Sequence, residues 1–328
     1  MPLHVKRWAV ALIVALAGGC AKPPTQRFQY VQLLMGVENR AVLYAKDEPT
    51  ARNAAKAAFE RVAQLEDIMS DYQTNSELMR LCAHSGNGPV AISKDLFDVL
   101  AFAQEVSEAS DGAFDVTVGP YVRLWRTARK TKSLPTASAL ADARCRVGWK
   151  LLKLDKTHQT AELMVPGMQL DLGGIAKGYA ADEAIRVLRD HGIQSALYET
   201  GGDIVVSDPP PGTQGWAIET VDPDARSRKK ILTLHNTAVS TSGDTVQFVE
   251  IDSVRYSHVV NPHTGIGLTD HRMATVIAPH GLISDPLSKV ATMLDPRKSE
   301  LILSRFGARG FVRRVSDTGR STTSETNP

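Results

Sequence analysis

Cysteine is scarce in this sequence, with three in 328 residues: Cys20, Cys82 and Cys145. Cys20 belongs to the N-terminal leader argued below. Cys82 and Cys145 remain, and spacing alone decides neither a disulfide nor two separate thiols. No segment approaches the ~20 consecutive apolar residues that span a bilayer. Charge of one sign is also lacking, since 38 Lys and Arg face 36 Asp and Glu. Without Lys6 and Arg7 of the leader the two signs balance, which argues against a nucleic-acid surface. There is no internal repeat, and no linker composition within residues 28–315. What remains is ordinary globular composition, 43% hydrophobic and 23% charged, and one compact α+β unit is the simplest architecture.

The N-terminus reads as a processing signal. His4, Lys6 and Arg7 precede an unbroken apolar run from Trp8 to Ala17, then Gly18-Gly19-Cys20. Basic, apolar and small-residue parts in that order make a secretory signal peptide over residues 1–19. A Cys directly after them is similar to a bacterial lipoprotein box, with Cys20 lipidated, although Ala17 stands where such boxes usually carry leucine. The expectation is a chain anchored to a bacterial membrane and facing the periplasm. Residues 20–28, with Pro23-Pro24, read as a tether.

The stretch Asp171-Leu-Gly-Gly-Ile-Ala-Lys-Gly-Tyr-Ala-Ala-Asp182 reads as a strand end, a glycine turn and a helix start. Ile175, Ala176, Ala180, Ala184 and Leu188 recur at helical spacing, and Gly192 stops the helix. Backbone N–H groups at such a helix entrance suit an anion, and Lys177 adds positive charge there.

Around it, Phe28–Leu34 and Ala41–Ala45 read as strands and 50–70 as a helix. Ser93 is a plausible N-cap for the helix after it. Residues 127–135 read as an exposed basic loop. Residues 149–154 and 160–165 suggest a hairpin. Asp285-Pro286 looks like an N-cap and first helical position for a helix to Leu294. Residues 29–315 form the folded domain, and the Ser/Thr-rich residues 316–328 read as a disordered tail.

Further short segments share the order of the chain: Met35-Gly36, Met69 to Glu77, Phe114-Asp115 with Val118-Gly-Pro120, and Thr200-Gly-Gly-Asp203. They continue with Ser240-Thr-Ser-Gly-Asp244, His258 with Pro262-His-Thr-Gly265, and Ser284-Asp285. As an ordered set with the Asp171–Asp182 motif, these resemble the ApbE family, the FAD:protein FMN transferases, over about residues 30–310.

That resemblance implies a single α+β domain, related to the T-fold, with mixed sheets and packed helices. It implies that a target-protein threonine attacks the FMN phosphate of FAD and that AMP leaves. The partner is then a flavin-accepting protein, with a membrane redox complex subunit as one candidate. Carried over by motif, Met35, Tyr72, Ala113, Phe114, Asp115, Asp171 and Lys177 line the FAD site. By the same resemblance, Gly174 and Asp285 are expected to hold Mg²⁺. Lys177 and His258 are the catalytic candidates, His258 for proton transfer because imidazole titrates near neutral pH. A structural hydrogen-bonding role for His258 competes with that assignment. The chain departs from the pattern at Val37, at Pro286, and at Lys289, where the family carries a metal-supporting threonine. These departures keep two alternatives open, an FAD pyrophosphatase and a non-catalytic flavin-binding lipoprotein.

Overall fold

A computed structural model describes residues 25–221, 229–243, 248–270, 272–315 and 321–326. The expected signal peptide, Cys20 and Asp244 lie outside these residues.

The chain opens with strands β1 (Gln26–Leu34) and β2 (Val37–Ala45). Met35 and Gly36, at φ 53° and 71°, close them in a two-residue turn. Both central positions of such a turn need positive φ, which suits the right-handed strand twist. β1 starts inside the expected tether, where Gln26 pairs with Ala45. Helix α1 (Glu48–Met69) follows, capped by the Asp47 carboxylate and carrying Pro in its first turn. Helix α2 (Glu77–Ala83) starts at the Ser76 N-cap, and strand β3 (Val90–Ala91) leads to α3 (Lys94–Ala109) with the expected Ser93 N-cap.

The expected loop over 127–135 is instead mostly helical. Helix α4 (Gly119–Thr131) runs through it and ends at Lys132 in the left-handed region. Tyr121, Trp125 and Ala128 fall on one buried stripe, while Arg129 and Lys130 occupy the last turn. The helix α5 (Ala137–Arg144) packs beside it. Strands β4 (Leu152–Asp155) and β5 (Thr160–Leu163) form the expected hairpin. Helix α6 (Ala176–Asp190) ends before Gly192, at φ 81°.

The second half supplies β6 (Ala196–Thr200), β7 (Asp203–Val206), β8 (Trp216–Val221), β9 (Lys229–Leu234), β10 (Thr237–Gly243), β11 (Phe248–Ile251), β12 (Val254–Ser257) and β13 (Arg272–Ala278). Helices α7 (Gly281–Met293) and α8 (Pro296–Arg305) come next, then β14 (Arg309–Val315) and β15 (Ser321–Thr326). The expected disordered tail is in part a strand. Residues 321–326 pair with β14, from Gly310 opposite Thr326 to Val315 opposite Ser321. Low apolar content argues for disorder only where no partner exists, and the open edge of β14 offers a backbone ladder to a Ser/Thr strand.

The main sheet has eight strands in the order β1-β2-β6-β7-β10-β13-β14-β15. Every neighbouring pair is antiparallel. Alternation divides its two faces. Ala41, Leu43, Ala196, Tyr198, Ala274 and Val276 face the layer formed by α1, α3, α6 and α7, where the main core lies. Val42, Leu197 and Ile277 face the β8–β9 hairpin, where Trp216, Ile218 and Leu234 form a second cluster. A third cluster ties Tyr121 and Trp125 of α4 to Val249 and Ile251 of β11. The α+β class expected from the sequence holds, and the sheet is antiparallel throughout.

Candidate active site

Two glycines set the geometry. A Cβ built on Gly178 of α6 would lie 2.0 Å from the carbonyl oxygen of Gly281, and one on Gly281 would lie 2.3 Å from that of Gly178. Backbones can approach so closely only where neither residue has a side chain. Asp182, one turn further along α6, accepts hydrogen bonds from the N–H groups of Gly281 (2.7 Å) and Leu282 (2.8 Å). It thereby caps the start of α7 from another helix.

This corrects the expected start of α7 at Asp285-Pro286. The helix begins at Gly281, with Asp285 and Pro286 both inside it. A local Asp-Pro signal loses here to a cap supplied a hundred residues away. Asp285 is consequently not a cap. Its side chain is 0% exposed and faces α6, where its Oδ2 accepts the Gly178 N–H at 3.0 Å.

Lys177 lies between two carboxylates. Its Nζ is 3.1 Å from Asp203 Oδ2 and 3.8 Å from Asp285 Oδ2, and it donates to the Gly173 carbonyl at 3.1 Å. Burial opposes the charge of Lys177, but Asp203 and Asp285 outweigh it and push its pKa up. Burial would raise the Asp285 carboxyl too; Lys177, Lys289 and the Gly178 N–H outweigh that and hold it below its usual range. Asp203 goes the other way, raised by burial and by the charge of Asp285. Its Oδ1 is buried without a hydrogen-bond partner among the described residues. Ser240 and Ser284 are buried, with their hydroxyls 2.7 Å apart.

Lys289 completes the cluster. Its ammonium donates to Asp285 Oδ1, one helical turn away, and its side chain is only 13% exposed. Lys289 is thus turned into the cluster and away from solvent. Its Cε and Cδ pass 3.7 and 3.8 Å from where a Gly174 Cβ would stand, and Phe114 Cε2 lies 3.3 Å from that same point. Gly174, Phe114, Asp285 and Lys289 thus share one wall. Gly173 and Gly174 are absent from the positive-φ glycines, so at Gly174 the need is space.

The remaining predicted residues divide. Asp171 Oδ1 accepts the Gly173 N–H at 2.8 Å, bracing the turn, and burial followed by the charge of Asp71 raises its carboxyl. Arg126 pairs with Asp71, lies 3.5 Å from Asp171 Oδ2, and sits 4.0 Å over the Tyr72 ring. Tyr72, 76% exposed, is in this way held beside the glycine turn. The Met35 turn is fixed by a 2.9 Å bond from the Met35 N–H to Glu66, and Val37 packs against Gly201 beside Asp203. Ala113 is buried. Asp115 is not brought to the cluster: its carboxylate caps a short turn, accepting from the N–H and hydroxyl of Thr117, each at 2.7 Å. His258 is half-buried directly after β12. Cys82 is buried and Cys145 exposed, two separate thiols.

The sequence alone does not single out Asp203 or Arg126. Asp203 belongs to a glycine motif that reads as a turn. Arg126 adjoins a segment that reads as a loop, and its partners Asp71 and Asp171 are remote in the chain.

The sequence model of the ApbE family matches residues 35–310. The chain belongs to the ApbE family. Among its relatives, a Treponema pallidum protein called FAD:protein FMN transferase is 29% identical over 320 residues, 91% of this chain and 88% of its own length. A Klebsiella pneumoniae protein of the same name is 32% identical, covering 79% of each chain. The Pseudomonas stutzeri flavinyl transferase ApbE superposes with a TM-score of 0.82 at 28% identity, over 94% of this chain and 96% of that one.

The residues present do not fit the Mg²⁺ expected at Gly174 and Asp285. Mg²⁺ needs oxygen ligands in a near-octahedral shell. Here an ammonium, which has no lone pair to give, holds Asp285 Oδ1, and its stem passes beside Gly174. No group of three or more His, Cys, Asp or Glu able to hold a metal occurs among the described residues.

Proposed function

We propose that this protein transfers FMN from FAD to a threonine of a target protein. The observation that carries the reading is the Lys177 cluster on the glycine turn of an ApbE-family fold: the Lys177 ammonium is held between Asp203 and Asp285, with the Lys289 ammonium beside it, on the motif expected to meet the flavin pyrophosphate. The threonine oxygen attacks the FMN-side phosphorus. A P–O bond forms there, the pyrophosphate P–O bond breaks, and AMP leaves with the bridging oxygen. The hydroxyl proton passes to a base, for which we assign His258. Phosphoryl transfer of this kind depends on positioning and charge neutralisation. Lys177 supplies charge, and Asp203 and Asp285 hold its ammonium in place. Tyr72 offers an aromatic face for the flavin ring, steadied by Arg126.

The test uses the detergent-solubilised full chain, FAD and bacterial membrane proteins. Flavin fluorescence on a protein band in a denaturing gel, with AMP released, supports transfer. AMP without a fluorescent band points to the pyrophosphatase alternative, and FAD binding with neither product to a carrier.

We further propose that Cys20 is lipidated and anchors the protein at a bacterial membrane, on the periplasmic side. The basic, apolar and small-residue order of residues 4–20 supports this. Cys20→Ala should move the protein out of the membrane fraction; unchanged partitioning would refute the anchor.

A further inference from the structure

We infer that Lys289 stands in for a divalent cation, so that flavin transfer at this site runs on a tethered ammonium without a metal. The inference rests on the transferase reading above for its substrate, but its geometry is independent of that reading. Lys289 Nζ donates to Asp285 Oδ1, and Asp285 Oδ2 takes the Gly178 N–H at 3.0 Å and faces Lys177 at 3.8 Å. Both oxygens of this fully buried carboxylate therefore already face cationic or N–H donors. The aliphatic stem of Lys289 lies alongside Gly174, the other residue expected to share the ion.

Charge counting agrees. Lys177 and Lys289 balance Asp203 and Asp285. With threonine at position 289 the same group would carry one negative charge and a hydroxyl oxygen, which invites a cation. With lysine it is neutral, and an added divalent ion would sit against a fixed ammonium. What the ammonium gives up is bridging: it donates hydrogen bonds to phosphate oxygens but cannot draw two oxygens into one coordination shell.

The test uses Mn²⁺ as the probe, followed by the electron paramagnetic resonance signal of the free ion. The full chain is compared with Lys289→Thr, with and without FAD. Wild type should remove no Mn²⁺ from solution beyond FAD alone. Lys289→Thr should bind one equivalent, and Lys289→Thr with Asp285→Asn should lose it. In the gel assay, EDTA should change the wild-type rate by less than about twofold and slow Lys289→Thr by about tenfold or more, the scale expected when a metal is the electrophile.

One equivalent of Mn²⁺ bound by wild type and lost in Asp285→Asn would overturn the proposal, as would a wild-type rate abolished by EDTA and restored by Mg²⁺. Both readouts use wild type, so they stand even if Lys289→Thr misfolds. If wild type binds neither FAD nor Mn²⁺ while Lys289→Thr binds Mn²⁺, the flavin reading fails and the replacement of the cation stands.

Discussion

Replacing Lys177 with methionine tests whether the cluster is an ion-pair hub. The substitution keeps most of the aliphatic stem and removes the charge 3.1 Å from Asp203 and 3.8 Å from Asp285. With an effective dielectric of about 20, those two attractions are gross terms of about 5 and about 4 kcal/mol. Desolvation of three charges offsets much of this, and breaking a buried pair from one side costs about 3–5 kcal/mol. Asp203 is the residue stranded, because Asp285 keeps Lys289 and the Gly178 N–H. Adding Asp203→Asn should therefore recover at least about 2 kcal/mol of the loss, a coupling within the range measured for residues in one network. Urea unfolding at pH 7 of wild type, both single variants and the double variant measures each corner of the cycle. In the double variant, FAD binding should fall more than riboflavin binding, since riboflavin has no phosphates. A Lys177→Met loss below about 1 kcal/mol, or strict additivity of the two substitutions, would refute the hub.

Gly178→Ala puts a methyl 2.0 Å from the Gly281 carbonyl oxygen and 2.8 Å from Asp285 Cβ; it should cost about 3 kcal/mol and lower Tm by roughly 6–12 °C in calorimetry. Arg126→Leu removes the cation over Tyr72 and the tie to Asp71 and Asp171, and should weaken FAD and riboflavin alike by about fivefold in fluorescence titration. Burial raises the Asp182 carboxyl from 3.8 to about 6. The folded state then holds its proton more tightly than the unfolded state, so this group's contribution is greatest below the unfolded value and is lost as pH rises through about 6. Subtracting the stability profile of Asp182→Asn from that of wild type should show a fall across that window and a flat line above it.

The hairpin around Met35-Gly36, the Ser93 cap, the β4–β5 hairpin and the Gly192 helix stop were legible because each depends on residues adjacent in sequence. Most of what escaped depends on residues far apart. The start of α7 is set by Asp182. The α4 helix presents a basic face that masks the spacing of Tyr121, Trp125 and Ala128. β15 forms on the edge that β14 offers. The site divides in the same way. The Asp171–Asp182 motif marked Lys177 as cationic, but its partners Asp203 and Asp285 come from β7 and α7. Gly178 reads locally as one more motif glycine, and only the contact with Gly281 gives the reason for it.

Lys289 turns the metal question into a choice between two exclusive arrangements. A divalent ion ~4 Å from an ammonium is repelled by about 8 kcal/mol at an effective dielectric of about 20, so an ion can enter only if Lys289 leaves. Leaving frees Asp285 Oδ1 for the ion, but Lys289 must first break a nearly buried pair on a carboxylate that is 0% exposed. The ion must also shed several of its waters, which Mg²⁺ does reluctantly. The ammonium carries no such dehydration step, because it is delivered by the same helix that carries Asp285. A mobile ion could follow charge as it develops on the leaving AMP; a lysine one helical turn from its carboxylate is limited to the reach of its side chain. The arrangement therefore gains a cation that no chelator removes and loses the ability to bridge two phosphate oxygens in one coordination shell.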